Sequence, residues 1–254
     1  MLNATLVAGC VAGGVALGAA IPDVVASVPA TRSEGGTTAT VRRRHLAPAR
    51  TAHPRPRGLV ARRPPVASVV ERLLVAALTG MVFGLGAARI GAAPVLGADC
   101  VLFTGLVAVS LADLREGIVP RRVLYPTAVL LSVALVSAAA SEGNWRAAGN
   151  AALGGVIAFA CFFVLWWVYP RGLGFGDVRL AGVIGIGLGW IGLAEVYAGF
   201  VVAFVVGAVV GIVLMVRHGT GRKTRLPFAP ALAIGAVVGV LWGPWIVAHW
   251  LHHA

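Results

Sequence analysis

Apolar residues run along this chain in long unbroken stretches, not at helical or alternating intervals. Eight stretches can be marked, at about residues 4–22, 67–90, 94–112, 123–141, 150–169, 179–193, 196–216 and 228–250. Each is apolar on all sides, which distinguishes it from the one-faced helix of a soluble protein. Most approach the ~20 residues a helix needs to cross the hydrocarbon layer. The period-two polarity of a membrane barrel strand is missing. An open sheet would leave backbone groups unpaired in lipid. The pattern therefore predicts an all-α fold, a polytopic bundle of about eight transmembrane helices. Gly91 to Pro94 separates the second stretch from the third.

Composition agrees. Of 254 residues, 59% are hydrophobic and 12% charged, and the mean hydropathy is +0.90. A soluble domain is about 25% charged, so a soluble globule and a disordered chain are both excluded. The three cysteines, Cys10, Cys100 and Cys161, are isolated and form no CxxC, so neither a zinc ribbon nor a redox pair is indicated.

The net charge of +12 gains meaning from its distribution. Residues 31–65 hold nine arginines and one acid, Glu34. Arg115, Arg121 and Arg122 follow the third stretch, Arg171 and Arg179 the fifth, and Arg217, Arg222, Lys223 and Arg225 the seventh. The alternate loops are nearly bare. Cytoplasmic loops carry the excess of Lys and Arg, so the basic loops are expected inside and both termini outside. A signal peptide is the rival reading of the first stretch, but residues 1–7 carry no charged side chain. The Arg-, Pro-, Ala- and Thr-rich segment reads as unstructured, serving topology and attraction to anionic lipid. Nucleic acid is not an expected partner, because no aromatic stacking group accompanies the arginines. The expected division is 1–30 as a first transmembrane segment, 31–66 as the basic loop and 67–254 as the main membrane domain.

The acids are scarcer and more informative. There are four aspartates, Asp23, Asp99, Asp113 and Asp177. Asp113 lies at the cytoplasmic end of the third stretch and Asp177 at the cytoplasmic start of the sixth, so the topology brings both to one membrane face. An ionisable residue at a span end is costly and reads as functional. The plain alternative is a helix-end acid paired with Arg115 or Arg179. Two carboxylates that meet offer a specific chemistry: close like charges do not both ionise. The ionised one takes a proton from water and the protonated one donates to a carbonyl oxygen. No HExxH and no nucleotide-binding GxxxxGK[ST] occurs, and the histidines lack a partnering Cys or Ser. No metal site is expected.

Gly174 and Gly176 precede Asp177 in a GxGD sequence. Glycines there would allow unusual dihedrals and close approach of an extended substrate. Gly182, Gly185, Gly187 and Gly189, and the pairs Gly207/Gly211 and Gly235/Gly239, read instead as helix-packing positions.

Three segments together resemble the type IV prepilin peptidases. Asp113-Leu-Arg-x-x-x-Val119-Pro120, followed by Leu124-x-Pro126, is similar to the first catalytic segment, usually D-x-R-x-x-x-I-P-N. Gly174-Phe-Gly176-Asp177-Val-Arg179-Leu is similar to the second, G-x-G-D-x-K-L. Lys223-Thr-Arg-Leu-Pro227-Phe228-Ala229-Pro230 is similar to the third, K-x-x-I-P-F-G-P. The resemblance covers about residues 70–250. Arg121 stands where Asn usually follows the proline, Arg179 for a common Lys and Ala229 for a common Gly.

The resemblance implies an intramembrane aspartic protease with Asp113 and Asp177 as catalytic acids. Gly174, Gly176, Arg179, Pro120, Lys223, Pro227, Phe228 and Pro230 would lie along the active-site loops. The implied substrate is a prepilin or pseudopilin precursor, with a short basic leader cut off at the cytoplasmic face of a bacterial or archaeal plasma membrane. Many members carry a four-cysteine zinc domain after the first span and also methylate the new N-terminus. Residues 31–65 occupy that place without a cysteine, so no zinc and no other cofactor is implied, and methylation is either absent or achieved differently. The reduced form resembles the peptidases of Flp/Tad or archaeal-type pilus systems. Two other readings stand beside this one. Presenilin-type proteases share GxGD, and Pro230-Ala-Leu232 is similar to their PAL motif, but DxRxxxVP is not theirs. A small transporter using Asp113 and Asp177 as proton or cation sites would want them near the bilayer midplane.

Overall fold

The structure, a computed structural model, describes residues 2–27, 68–170, 172–218 and 227–251. These form eight helices: α1 (Leu2–Ser27), α2 (Val69–Ile90), α3 (Val95–Glu116), α4 (Arg121–Glu142), α5 (Trp145–Val168), α6 (Phe175–Ile191), α7 (Leu193–His218) and α8 (Ala229–Leu251). The described residues hold no strand. Each helix overlaps one predicted stretch, and α1, α3, α4, α5, α6 and α7 begin or end a few residues outside it, because the ends of a helix need not be apolar to continue its hydrogen bonds. The basic 31–65 segment and Lys223 lie outside the described residues.

All helices but α6 are long and apolar enough to cross a bilayer, and large side chains such as Leu73, Met81, Leu130, Val156 and Val213 face outward. This is an integral membrane protein. Helix α6 has 17 residues, about 25 Å at 1.5 Å per residue, shorter than the ~30 Å hydrocarbon layer. It can be short because it is sheltered. Val178, Leu180, Ala181, Ile184 and Leu188 are almost wholly buried, and α3, α4, α5, α7 and α8 all pack against it.

Consecutive helices pair as hairpins, α1 with α2, α3 with α4, α5 with α6 and α7 with α8. Tight turns at Gly91, Gly117 and Gly143, each with positive φ, make the reversals between α2 and α5. The crossing of α5 and α6 is a close one. A Cβ on Gly154 would lie 2.6 Å from the Gly185 carbonyl and 2.9 Å from the Gly189 Cα. In lipid, helices have no hydrophobic drive to associate, and small residues let their backbones approach instead. The reading of Gly185 and Gly189 as packing positions therefore holds. Successive reversals bring the C-terminal ends of α1, α3, α5 and α7 and the N-terminal ends of α2, α4, α6 and α8 to one end of the bundle. That end carries the site.

Candidate active site

Asp113 sits in the last turn of α3. The helix stops because Gly117 takes the left-handed conformation (φ 65°, ψ 28°). Its N–H closes on the Asp113 carbonyl at 2.8 Å. The chain then turns through buried Pro120, whose carbonyl accepts the N–H of Val123 and of Leu124, both at 3.1 Å. Having no N–H of its own, Pro120 is suited to this position before α4. The Asp113 side chain is 7% exposed, and its Oδ2 accepts the Ala229 N–H at 3.1 Å.

Ala229 is the first residue of α8, and the first N–H groups of a helix have no partner within it. Pro227 and Pro230 flank Phe228 and Ala229; Pro230 suits a helix start. Phe228 is wedged against Phe204, ring centroids 5.7 Å apart, with Gly207 giving it room. The third motif thus supplies Asp113 with a backbone donor and fixes it by side-chain packing.

Asp177 lies in the first turn of α6 and is 9% exposed. Its Oδ2 accepts the Gly174 N–H at 3.2 Å, while its own N–H donates to the Gly174 carbonyl at 3.0 Å. A carboxylate in the first turn is favoured by the helix dipole. The two glycines before it act by close approach alone. Gly174 has ordinary extended dihedrals (φ −76°, ψ 141°) and Gly176 is already helical, so the unusual dihedrals expected of this segment are not used. A Cβ on Gly176, however, would fall 2.7 Å from the Val119 Cβ. The start of α6 is thereby set against the turn that follows Asp113.

Asp113 and Asp177, 64 residues apart in sequence, are brought to the same end of the bundle, where the start of α6 packs at Gly176 against the turn that follows Asp113. Neither is neutralised by the nearby arginines. Arg115 turns to Glu71 on α2, its Nε 2.8 Å from Oε1. Arg179 lies over the Phe175 ring at 4.4 Å, and Phe175 packs edge-on to Trp166 at 5.1 Å. The described residues contain two ion pairs, Arg72–Asp23 and Arg115–Glu71, and neither involves these acids. The helix-end pairing considered for each aspartate is not what forms.

A largely apolar cavity of about 560 Å³ opens between α4, α5 and α6. Tyr125, Ala152, Gly155, Arg179 and Gly182 are among its lining residues. Among the described residues no cluster of His, Cys, Asp or Glu is arranged to hold a metal. The chain's three cysteines lie in α1, α3 and α5, so the donors for a four-cysteine zinc site are not present.

Two contributors were missed by sequence reasoning. The Ala229 N–H is a backbone atom, and no side-chain pattern announces it, although the two flanking prolines mark a helix start. Glu71 as the partner of Arg115 had no signal, since the pair spans 44 residues.

Comparison with known proteins bears directly on this geometry. Residues 100–216 match the sequence profile of the type IV leader peptidase family. These residues belong to the type IV leader peptidase family. The match contains both aspartates and ends before the third motif. Among curated relatives, the prepilin leader peptidase/N-methyltransferase of Xanthomonas campestris pv. campestris is 31% identical over 159 residues, 61% of this chain and 53% of its own. That of Stutzerimonas stutzeri is 30% identical over 194 residues, 74% of this chain and 64% of its own. That of Pseudomonas aeruginosa is 28% identical over 186 residues, covering 71% and 61%. The chain thus spans between about half and two-thirds of the length of these relatives. No solved structure matches it.

Proposed function

We propose that this family member is a prepilin leader peptidase, an endopeptidase that removes the leader of type IV pilin-like precursors by a two-aspartate mechanism. The observation that carries the reading is the buried, unsalted pair Asp113 and Asp177 at one end of the bundle, within the residues that match the family. Asp113 and Asp177 are the catalytic acids. The ionised carboxylate takes a proton from a water molecule, whose oxygen attacks the scissile carbonyl. The protonated carboxyl donates to the carbonyl oxygen. Collapse of the tetrahedral intermediate breaks the C–N bond, and the departing amine leaves with a proton returned by the pair. Burial excludes competing water and strengthens each of these contacts.

Gly174 and Gly176 keep side chains out of the approach to Asp177, and Pro120, Pro227, Phe228 and Pro230 shape the loops around Asp113. Arg179 lines the cavity between α4, α5 and α6. The apolar cavity that includes Arg179, two residues after Asp177, is the place assigned to the apolar helix of a precursor. The positive-inside distribution of charge supports a plasma membrane location with the site facing the cytoplasm. The basic 31–66 segment contributes to this orientation, and 67–254 is the peptidase domain. Peptide cleavage is the activity assigned; the missing cysteines give methylation no support.

The test is co-expression with a candidate prepilin and separation of precursor from mature product on a gel. Leader removal is expected, and intact precursor in the presence of well-accumulated enzyme would overturn the reading. Mass spectrometry of the mature N-terminus reads the second activity. An unmodified terminus is expected, and an added methyl group would contradict it.

A further inference from the structure

Arg115 stands two residues beyond Asp113 on the last turn of α3, yet its contacts all lie with the first two helices. Its Nε and Nη2 both donate to Glu71 Oε1 on α2, and its Nη1 reaches the Pro22 carbonyl of α1 at 3.4 Å. Side-chain exposure is 20% for Arg115 and 30% for Glu71. This is not a freely solvated pair of the kind that contributes little. Asp23 and Arg72 form a second ion pair alongside, at 2.7 Å, which joins α1 to α2 without touching α3. Both α1 and α2 precede the residues that match the family.

We infer that Glu71 and Arg115 are positioning residues, a clamp by which the α1–α2 hairpin fixes the end of α3 and thereby the Asp113 carboxylate against the Ala229 N–H. This rests on the two-aspartate reading given above for its effect on catalysis, but the clamp also has a consequence independent of it. The Asp113 carboxylate is held by one hydrogen bond among the described residues, at 3.1 Å, and by the geometry of its helix end. That end is anchored on one side by the Gly117 turn and on the other by Arg115. A guanidinium with two N–H groups on one carboxylate oxygen and a third on a backbone carbonyl restricts rotation of α3 about its axis, which a single contact would not. Displacements of about 1 Å at a catalytic group can cost about 100-fold in rate.

The experiment compares wild type, Glu71→Gln, Arg115→Gln, Arg115→Lys, the exchanged pair Glu71→Arg with Arg115→Glu, and Arg72→Gln. Membranes containing each are assayed for cleavage of a prepilin, with kcat and KM separated. In parallel, carbodiimide modification of Asp113 is followed by mass spectrometry. In Glu71→Gln and Arg115→Gln, kcat is expected to fall about 10- to 100-fold with KM little changed, and Asp113 to be modified faster. Arg115→Lys and the exchanged pair should recover part of kcat. Arg72→Gln should leave both readouts near wild type, because its pair does not reach α3. Wild-type kcat and wild-type Asp113 labelling in Glu71→Gln would overturn the clamp, as would an Arg72→Gln variant impaired as severely as Glu71→Gln. If Arg115→Gln does not accumulate, Glu71→Gln and the exchanged pair carry the test. A wild-type protein that cleaves no prepilin would sink the peptidase reading, and the labelling comparison would still decide the clamp.

Discussion

At the scale of single residues, the site is made as much from backbone as from side chains. Asp113 and Asp177 were identifiable from sequence because carboxylates are rare in this chain and two of them fall at one membrane face. What holds each one was not identifiable. Asp113 is bonded by the N–H of Ala229 and Asp177 by that of Gly174, and backbone donors leave no trace in a residue pattern. The arginines adjoining the acids in sequence misled in an instructive way. Nearness along a helix suggested pairing with Asp113 and Asp177, but on a helix the residue two positions on points to another face. Arg115 therefore reaches Glu71 and Arg179 lies on Phe175. At this scale a substitution at Gly176 is informative. Gly176→Ala puts a methyl group against Val119 and displaces the start of α6, so leader cleavage should fall at least tenfold, by the same sensitivity to misplacement. The assay is precursor-to-product conversion at matched membrane levels.

At the scale of elements, the helices follow from unbroken apolar runs, and their reversals from glycine and proline in short turns. Gly91, Gly117 and Gly143 each adopt positive φ, where other residues are strained. The apolar runs and the break at Gly91 to Pro94 were legible because they are local; the turns at Gly117 and Gly143 were not marked. Helix α6 was legible as a helix but not as the sheltered member of the bundle, since its run is as apolar as those facing lipid. Its glycines were the signal, and they meet α5 along Gly154, Gly185 and Gly189. Gly185→Val, which forces a side chain into the Gly154 backbone, should cost about 1–3 kcal/mol by overpacking. The expected result is a lower midpoint of thermal unfolding in detergent. The cavity between α4, α5 and α6 offers a contrasting prediction. Ala152→Phe adds volume at an exposed lining position, so the thermal midpoint should stay near wild type while KM for a prepilin rises several-fold. Unchanged KM would remove the cavity from the substrate path.

At the scale of the whole molecule, the hydrophobic content and the charge pattern describe one arrangement: apolar helices in lipid, with Arg72, Arg115, Arg121, Arg122 and Arg179, among the described residues, at one end of the bundle. Asp113 and Asp177 lie at that same end. Asp99 supplies the internal comparison. It is also buried, at 5% exposure, but it lies in the first turns of α3, fourteen residues before Asp113 and so about 21 Å away along the helix. A general need for buried acids and a specific need for the converging pair therefore make different predictions. The most direct measurement is prepilin cleavage by wild type, Asp113→Asn, Asp177→Asn and Asp99→Asn, each at equal abundance in the membrane. The two-aspartate account predicts that Asp113→Asn and Asp177→Asn each lose at least about 10²–10⁴-fold in rate while Asp99→Asn cleaves at close to the wild-type rate. Normal cleavage by either of the first two, or an equal loss in Asp99→Asn, would contradict it.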